Sequence, residues 1–413
     1  MNSAAHNRIR SIAPRLLPIL VGFVLLLSGC SVIQTITGTS SSQESATTDA
    51  DIVVVTDAAS DSNSSAETTA VPEATLGEEA QPDSTESSPS PTPLNEGISP
   101  TTGRPLPEGA VYRPVLVAMD NAAQARPQTA LMLADIVYEF PLDRTDHCTR
   151  YLALFSDELP KRVGPVRTSR SYIADTAQEW GGLYVSLGDP EMDAEGYPLL
   201  NDSGVRFHVE NTGDAANYFY RDKTITAIEE HTNFFQLLSY VENNYHFAVS
   251  YSNSRFAFEH GVAYEKGKEI ISVGIPFTSS DPERVLFTYD KAKNVLVRSD
   301  KNSKKVLGES KSLTPTDDAL GYANELITVQ NLIVQYVHVT AFDSTLRSIA
   351  MIGKGECMYF INGRAVFGSW SRPTLSDPTS YTLYDGSIVR LEPGNTWIMM
   401  MPSTREIKAI YVG

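Results

Sequence analysis

Cysteine is scarce, with three in 413 residues, too few for the disulfide framework of a small secreted domain. Basic residues are missing from a long stretch. Residues 31–103 hold acids such as Asp49, Asp51, Glu78 and Glu79 but no Lys or Arg. The formal charge of -17 is therefore concentrated there, and the remainder is only mildly acidic. Such a chain offers no electrostatic footprint for a phosphate backbone, which excludes nucleic acid as a partner. Long hydrophobic runs are also lacking. The longest, residues 16–27, falls short of the ~20 residues a spanning helix needs. No H-E-x-x-H, paired-cysteine or G-x-S-x-G spacing occurs, and no glycine loop suited to phosphate. His147, His208 and His231 stand without ligand spacing, so neither a metal nor a cofactor is expected.

The N-terminus carries the clearest signal. Arg8, Arg10 and Arg15 precede the short apolar run, and Leu27-Ser28-Gly29-Cys30 follows it. A basic flank, an apolar run and a cysteine after small residues form a lipoprotein export signal over residues 1–30. The Cys30 thiol is the expected site of lipid attachment, and acyl chains at ~0.8 kcal/mol per buried CH₂ hold such a protein on a membrane. The expected location is the extracytoplasmic face of the cell membrane. Residues 31–107 are rich in Ser, Thr, Ala, Pro and acids, a composition that buries too little apolar surface to fold. As a flexible tether it reaches about 45–50 Å. With Cys30 acylated, Cys148 and Cys357 are left, and either a bridge or two buried thiols fits them.

Two domains are expected beyond the tether. Residues 108–254 mix strands (113–119, 136–140, 151–155, 183–187) with helices (130–134, 169–180, 225–240). Residues 255–413 read as a smaller β-rich domain, with strands near 284–289, 295–298, 332–339, 358–361, 388–391 and 396–401 and turn signals between several of them. The fold class is α+β: a mixed α/β N-terminal domain followed by a β-rich C-terminal one.

Five segments then fall in a recognisable order: Arg113-Pro114-Val115…Asn121, Ala125-Arg126-Pro127-Gln128, Ala134-Asp135-Ile136-Val137-Tyr138-Glu139, Arg150-Tyr151-Leu152-Ala153-Leu154-Phe155 and Gly164-Pro165-Val166-Arg167-Thr168-Ser169-Arg170. Phe219-Tyr220-Arg221-Asp222, His231-Thr232-Asn233, Gln330 to Gln335 and Gly394 to Ile398 continue it. The chain resembles the YerB-like lipoproteins over about residues 110–413. The family usually sets its histidine directly before the asparagine, whereas Thr232 separates His231 from Asn233 here. The resemblance implies a two-domain, lipid-anchored, exported protein. It carries no reaction with it.

Polar motifs cluster in the first domain. Arg126, Arg167 and Arg170 offer planar forks for carboxylate or phosphate, and Thr168-Ser169 could cap a helix whose N–H groups favour an anion. Asp120, Asn121, Asp135, Glu139, Arg221, His231 and Asn233 complete the candidate ligand-binding set. Equally, the arginines could pair with Asp135, Glu139 or Asp175 and lock the fold. Asp120, Asp135, Glu139 and Asp189 could instead serve acid–base hydrolysis. Trp370, Trp397, Tyr381, Tyr384 and Phe367 could line a sugar- or peptide-binding face or fill a β core. A non-enzymatic binding or scaffold role in the cell envelope is the first expectation, with peptidoglycan or an envelope protein as partner. The alternative is an envelope hydrolase.

Overall fold

The computed structural model describes residues 97–108, 112–122, 125–126, 128–142, 149–188, 207–221, 230–245, 256–277, 285–300, 307–309, 325–341 and 347–413. Cys30, most of the tether, His147, Cys148, Asp189 and Asp222 lie outside them.

The body is mostly β, with few helices. In the first half the strands are β1 (Val115–Asp120), β2 (Gln128–Thr129), β3 (Ile136–Pro141), β4 (Thr149–Phe155), β5 (Arg162–Val166), β6 (Leu183–Ser186), β7 (Phe207–Glu210), β8 (Phe219–Arg221) and β9 (Glu230–Asn233). Among the described residues two α-helices join them, α1 (Ser171–Glu179) and α2 (Phe234–Tyr245). The second half adds β10 (Lys268–Ile275), β11 (Val285–Asp290), β12 (Val295–Asp300), β13 (Asn331–Val337), β14 (Gly353–Ile361), β15 (Arg364–Arg372), β16 (Ser380–Leu383), β17 (Thr396–Pro402) and β18 (Lys408–Tyr411), besides several shorter strands.

One mixed sheet runs through both halves in the order β7-β6-β1-β4-β3-β17-β13-β14-β15-β16. β17 lies parallel to β3, with Trp397 opposite Val137 and Met399 opposite Glu139. The central strands of the sheet are buried on both faces, hence near-continuous apolar runs such as Val115-Leu116-Val117-Ala118-Met119. Successive side chains point to opposite faces. Val115, Val117 and Met119 pack with Val137, Phe155, Phe287 and Trp397, while Leu116 and Ala118 pack with Tyr138, Tyr172, Ile173 and Trp180 of the other layer.

Among the described residues, two buried ion pairs tie the halves together. Arg298 on β12 donates to both Glu139 carboxylate oxygens at 3.0 and 3.1 Å, and neither residue is exposed. Its guanidinium lies 5.1 Å from the Trp397 ring centre and 5.8 Å from that of Tyr151, within cation–π range of two rings that meet edge to face 5.3 Å apart. Glu139 also accepts from Trp397 Nε1 at 3.0 Å and Thr149 Oγ1 at 2.8 Å. Elsewhere, Arg372 meets Glu179 of α1 at 2.9 Å and donates to the carbonyls of Asp175, Leu375 and Asp377.

Several local expectations need correction. The sequence predicts a second helix over 225–240, with His231 on it. Residues 230–233 instead form β9, paired with β5 and β8, and the helix begins at Phe234. Asn233 ends the strand and accepts the Gln236 N–H at 3.4 Å, the role of an N-cap. Gly164-Pro165, expected to turn the chain, lies within β5 with a cis peptide bond, where the pairing with β9 shifts register. Proline is tolerated in strands at such irregularities. Residues 130–134 hold a 3₁₀ turn, Leu131–Leu133. Residues 97–107, tether by composition, pack on the body with Ser99, Thr101 and Thr102 buried.

Candidate functional site

β1, β6 and β7 run parallel, and their carboxyl ends carry a polar rim. Asp120 closes β1 opposite Arg150 of β4. The pairing of Met119 with Val166 brings Arg167 alongside, its N–H donating to the Ala118 carbonyl at 2.8 Å. Arg167 Nε then donates to Asp120 Oδ2 at 2.7 Å. The Asp120 side chain is 2% exposed and that of Arg167 36%. Among the described residues, no acceptor engages the two terminal nitrogens of Arg167.

Asn121 organises the neighbouring side. Its Oδ1 accepts from Arg126 Nε at 2.9 Å and Gln128 Nε2 at 3.1 Å, while its carbonyl accepts from a terminal nitrogen of Arg126 at 3.0 Å. Its amide donates to Thr149 Oγ1 at 2.7 Å, which in turn donates to Glu139. The rim is thus wired to the buried Glu139–Arg298 pair. Arg150 and Arg170 converge on the next loop. Arg150 donates to the Thr168 carbonyl (2.7 Å) and hydroxyl (3.0 Å), and Arg170 to the Ser169 carbonyl (2.6 Å) and the same hydroxyl (3.2 Å).

The expectation that Thr168 and Ser169 cap α1 is therefore overturned. The helix starts at Ser171, Arg170 holds the cap position, and no side chain caps it. The Thr168 hydroxyl serves the arginines, and that of Ser169 accepts from Tyr184 at 2.7 Å. The rim continues through Ser186, whose hydroxyl meets His208 Nε2 at 2.9 Å. Burial lowers the His208 pKa to about 4, so this imidazole is neutral at neutral pH.

Of the predicted residues, Asp120, Asn121, Arg126, Arg167 and Arg170 gather at this rim, with Glu139 beneath. His231 is fully buried on β9, with Nε2 3.1 Å from Thr129 Oγ1 and its ring stacked on Tyr220. Arg221 is exposed at the end of β8.

Asp135 lies at the other end of the sheet, before β3, in a second polar cluster. Its Oδ2 accepts from Thr101 Oγ1 at 2.7 Å and from the N–H groups of Ser156 and Asp157 at 3.0 and 3.2 Å. Ser99 donates to Asp157 at 2.6 Å, and Thr102 also donates to it. These hydroxyls strap residues 97–107 onto the body beside a cavity of about 380 Å³ lined by Arg104, Glu158, Gln330 and Asn395 among others. Gly103 is required in the strap. Its φ is +68°, and a Cβ there would lie 2.3 Å from the Phe258 ring. Burial, and then the neighbouring Asp157 carboxylate, push the Asp135 pKa up to about 7.

The carboxylates considered for hydrolysis are thus divided. Asp120 is held by Arg167, Glu139 by Arg298, and Asp135 sits far along the sheet beside Asp157. Among the described residues no cluster of His, Cys, Asp and Glu is arranged to hold a metal, and no helix is long and apolar enough to cross a membrane. Of the second-half aromatics, Trp370, Trp397 and Tyr381 are core, while Phe367 and Tyr384 are exposed. Cys357 is buried, and burial pushes its thiol up. Sequence reasoning missed Arg150 and Arg298, and gave Thr168 a helix-capping role in place of its bonds to Arg150 and Arg170. A lone cation inside the apolar runs Thr149–Phe155 and Val295–Asp300 was the available signal.

A mostly β body, with one mixed sheet spanning two sequence segments and an arginine-lined rim, defines the class. The chain belongs to the DUF3048 family: the N-terminal domain model of this "Protein of unknown function" matches residues 101–247, and the C-terminal one residues 273–398. Over 293 residues it is 25% identical to a Bacillus subtilis (strain 168) protein named "Putative lipoprotein YerB", covering 70% of this chain and 81% of the relative. The crystal structure of YerB protein from Bacillus subtilis shares the fold at a TM-score of 0.59 and 21% identity, covering 75% of this chain and 99% of that one.

Proposed function

We propose that this is an extracytoplasmic lipoprotein, anchored through Cys30, that binds an anionic group of an envelope partner at its arginine rim. Peptidoglycan, whose peptides end in carboxylates, is the favoured partner. The supporting observation is Arg167. Its Nε is pinned by buried Asp120 on a side chain that stays partly exposed, and among the described residues no acceptor engages its two terminal nitrogens. A guanidinium oriented in this way loses little entropy on meeting a carboxylate. The anchor rests on the lipobox and on similarity to a Bacillus relative named as a lipoprotein.

Two experiments test this reading. Cys30→Ala should abolish incorporation of a fatty-acid label and release the protein from membranes; labelled, membrane-bound Cys30→Ala protein would refute the anchor. Arg167→Gln can still donate to Asp120, so the fold should survive. Its pelleting with purified sacculi should weaken about tenfold, the equivalent of ~1.4 kcal/mol. Unchanged pelleting would remove the rim from the binding reaction.

A further inference from the structure

The outward face of α2 is unusual for a solvent-facing helix. Phe234, Leu237, Leu238 and Val241 enter the core. The opposite stripe carries Phe235, Gln236, Ser239, Tyr240, Asn243 and Asn244, and with Tyr218 it lines an open groove of about 370 Å³. That volume falls within the roughly 300–1,000 Å³ range of small-molecule sites. Among the described residues, no charged side chain lines the groove; Glu242 of the same helix lies outside the lining and is paired with Arg113 at 2.7 Å. Phe235 is 46% exposed. Ser and Asn are poorer helix formers than Lys or Glu, so Ser239, Asn243 and Asn244 weaken the helix, while Tyr218 and Tyr240 pack partly against the core. The rings of Tyr218 and Tyr240, 5.0 Å apart and tilted by 37°, form one wall.

These groups fit one chemistry. Aromatic rings pack against apolar C–H faces, while neighbouring amides and hydroxyls both donate and accept. An ionic ligand would find no counter-charge in the lining. A partner helix would need apolar anchors at i, i+3, i+4 and i+7, where Gln236, Ser239 and Asn243 interrupt the stripe. A lipid surface calls for basic residues flanking an apolar face. A ring with apolar faces and a rim of hydroxyls satisfies the whole set.

We propose that this groove binds a neutral glycan, one or two pyranose units at a time, independently of the arginine rim. The test is titration of the full chain in detergent with the tetramer of N-acetylglucosamine, followed by saturation-transfer NMR and calorimetry. Saturable binding at millimolar sugar or below is expected. Phe235→Ala and Asn243→Ala, both at exposed positions, should each weaken it about fivefold or more at unchanged melting temperature. Arg167→Gln should leave it intact. Three results would overturn the proposal: no saturable binding, binding indifferent to both groove substitutions, or binding lost in Arg167→Gln. So would Phe235→Ala converting a dimer to a monomer, which would make a second copy the occupant. Failure with the sugar alongside Arg167-dependent pelleting on sacculi would sink the groove and leave the rim standing.

Discussion

Arg298→Met is expected to lower unfolding stability by roughly 3–5 kcal/mol, the cost of breaking a buried ion pair by removing one partner. Neither Arg298 nor Glu139 has measurable exposure, so water cannot take over for the lost cation. Glu139 would keep the Trp397, Thr149 and Asn121 donors but lose both contacts to the guanidinium. Methionine fills much of the vacated volume beside Tyr151 and Trp397, so the loss reports charge rather than a cavity. Adding Glu139→Gln should recover part of it, because no uncompensated charge then remains buried. Equilibrium urea unfolding of the two single variants and the double variant makes the measurement. A loss below about 1 kcal/mol for Arg298→Met would show that the pair holds nothing together.

Asp135→Asn should do the opposite above neutrality. The Asp135 pKa rises from 3.8 to about 7 on folding, chiefly through burial and secondly through Asp157. A carboxyl raised in the folded state contributes stability that is complete below about pH 4 and lost as pH climbs through 7. The parent protein should therefore be less stable at pH 8.5 than at pH 5.5. The shift corresponds to ~4 kcal/mol at most. Asparagine keeps an acceptor for Thr101 and Ser156 but cannot ionise, so the variant should gain about 2–4 kcal/mol at pH 8.5 and show a flatter pH profile. Asp157, Glu158 and Arg104 are the other charged groups at this cleft. The same ionisation should loosen residues 97–107, so proteolysis between tether and body should accelerate with pH in the parent only. Parallel stability profiles for the two proteins would refute this account.

Much of the sheet was legible beforehand. β1, β3 and β4 are runs of β-branched and aromatic residues, and strands buried on both faces advertise themselves in this way. β5 was hidden because Gly164-Pro165 imitates a turn, and β9 because residues 225–240 look helical until pairing with β5 and β8 takes hold of residues 230–233. The rim was half legible. Arg126, Arg167 and Arg170 stood out by residue type, and Asp120 and Asn121 by position after a strand. Their mutual contacts were not readable, since a hydrogen bond such as Arg167 to Asp120 depends on which strands become neighbours. The same holds for Arg298, separated from Glu139 by 159 residues. Asp135 was singled out for the wrong company. Its partners are Thr101, Ser156 and Asp157, and a Ser/Thr-rich segment gave no hint that its hydroxyls would be spoken for.

β17, near the C-terminus, fills the slot between β3 and β13. The middle of the barrier between the two apolar layers is therefore contributed after both of its neighbours as the polypeptide emerges. A nascent chain halted before residue 396 would leave two unsatisfied backbone edges side by side, an invitation to stick to other molecules.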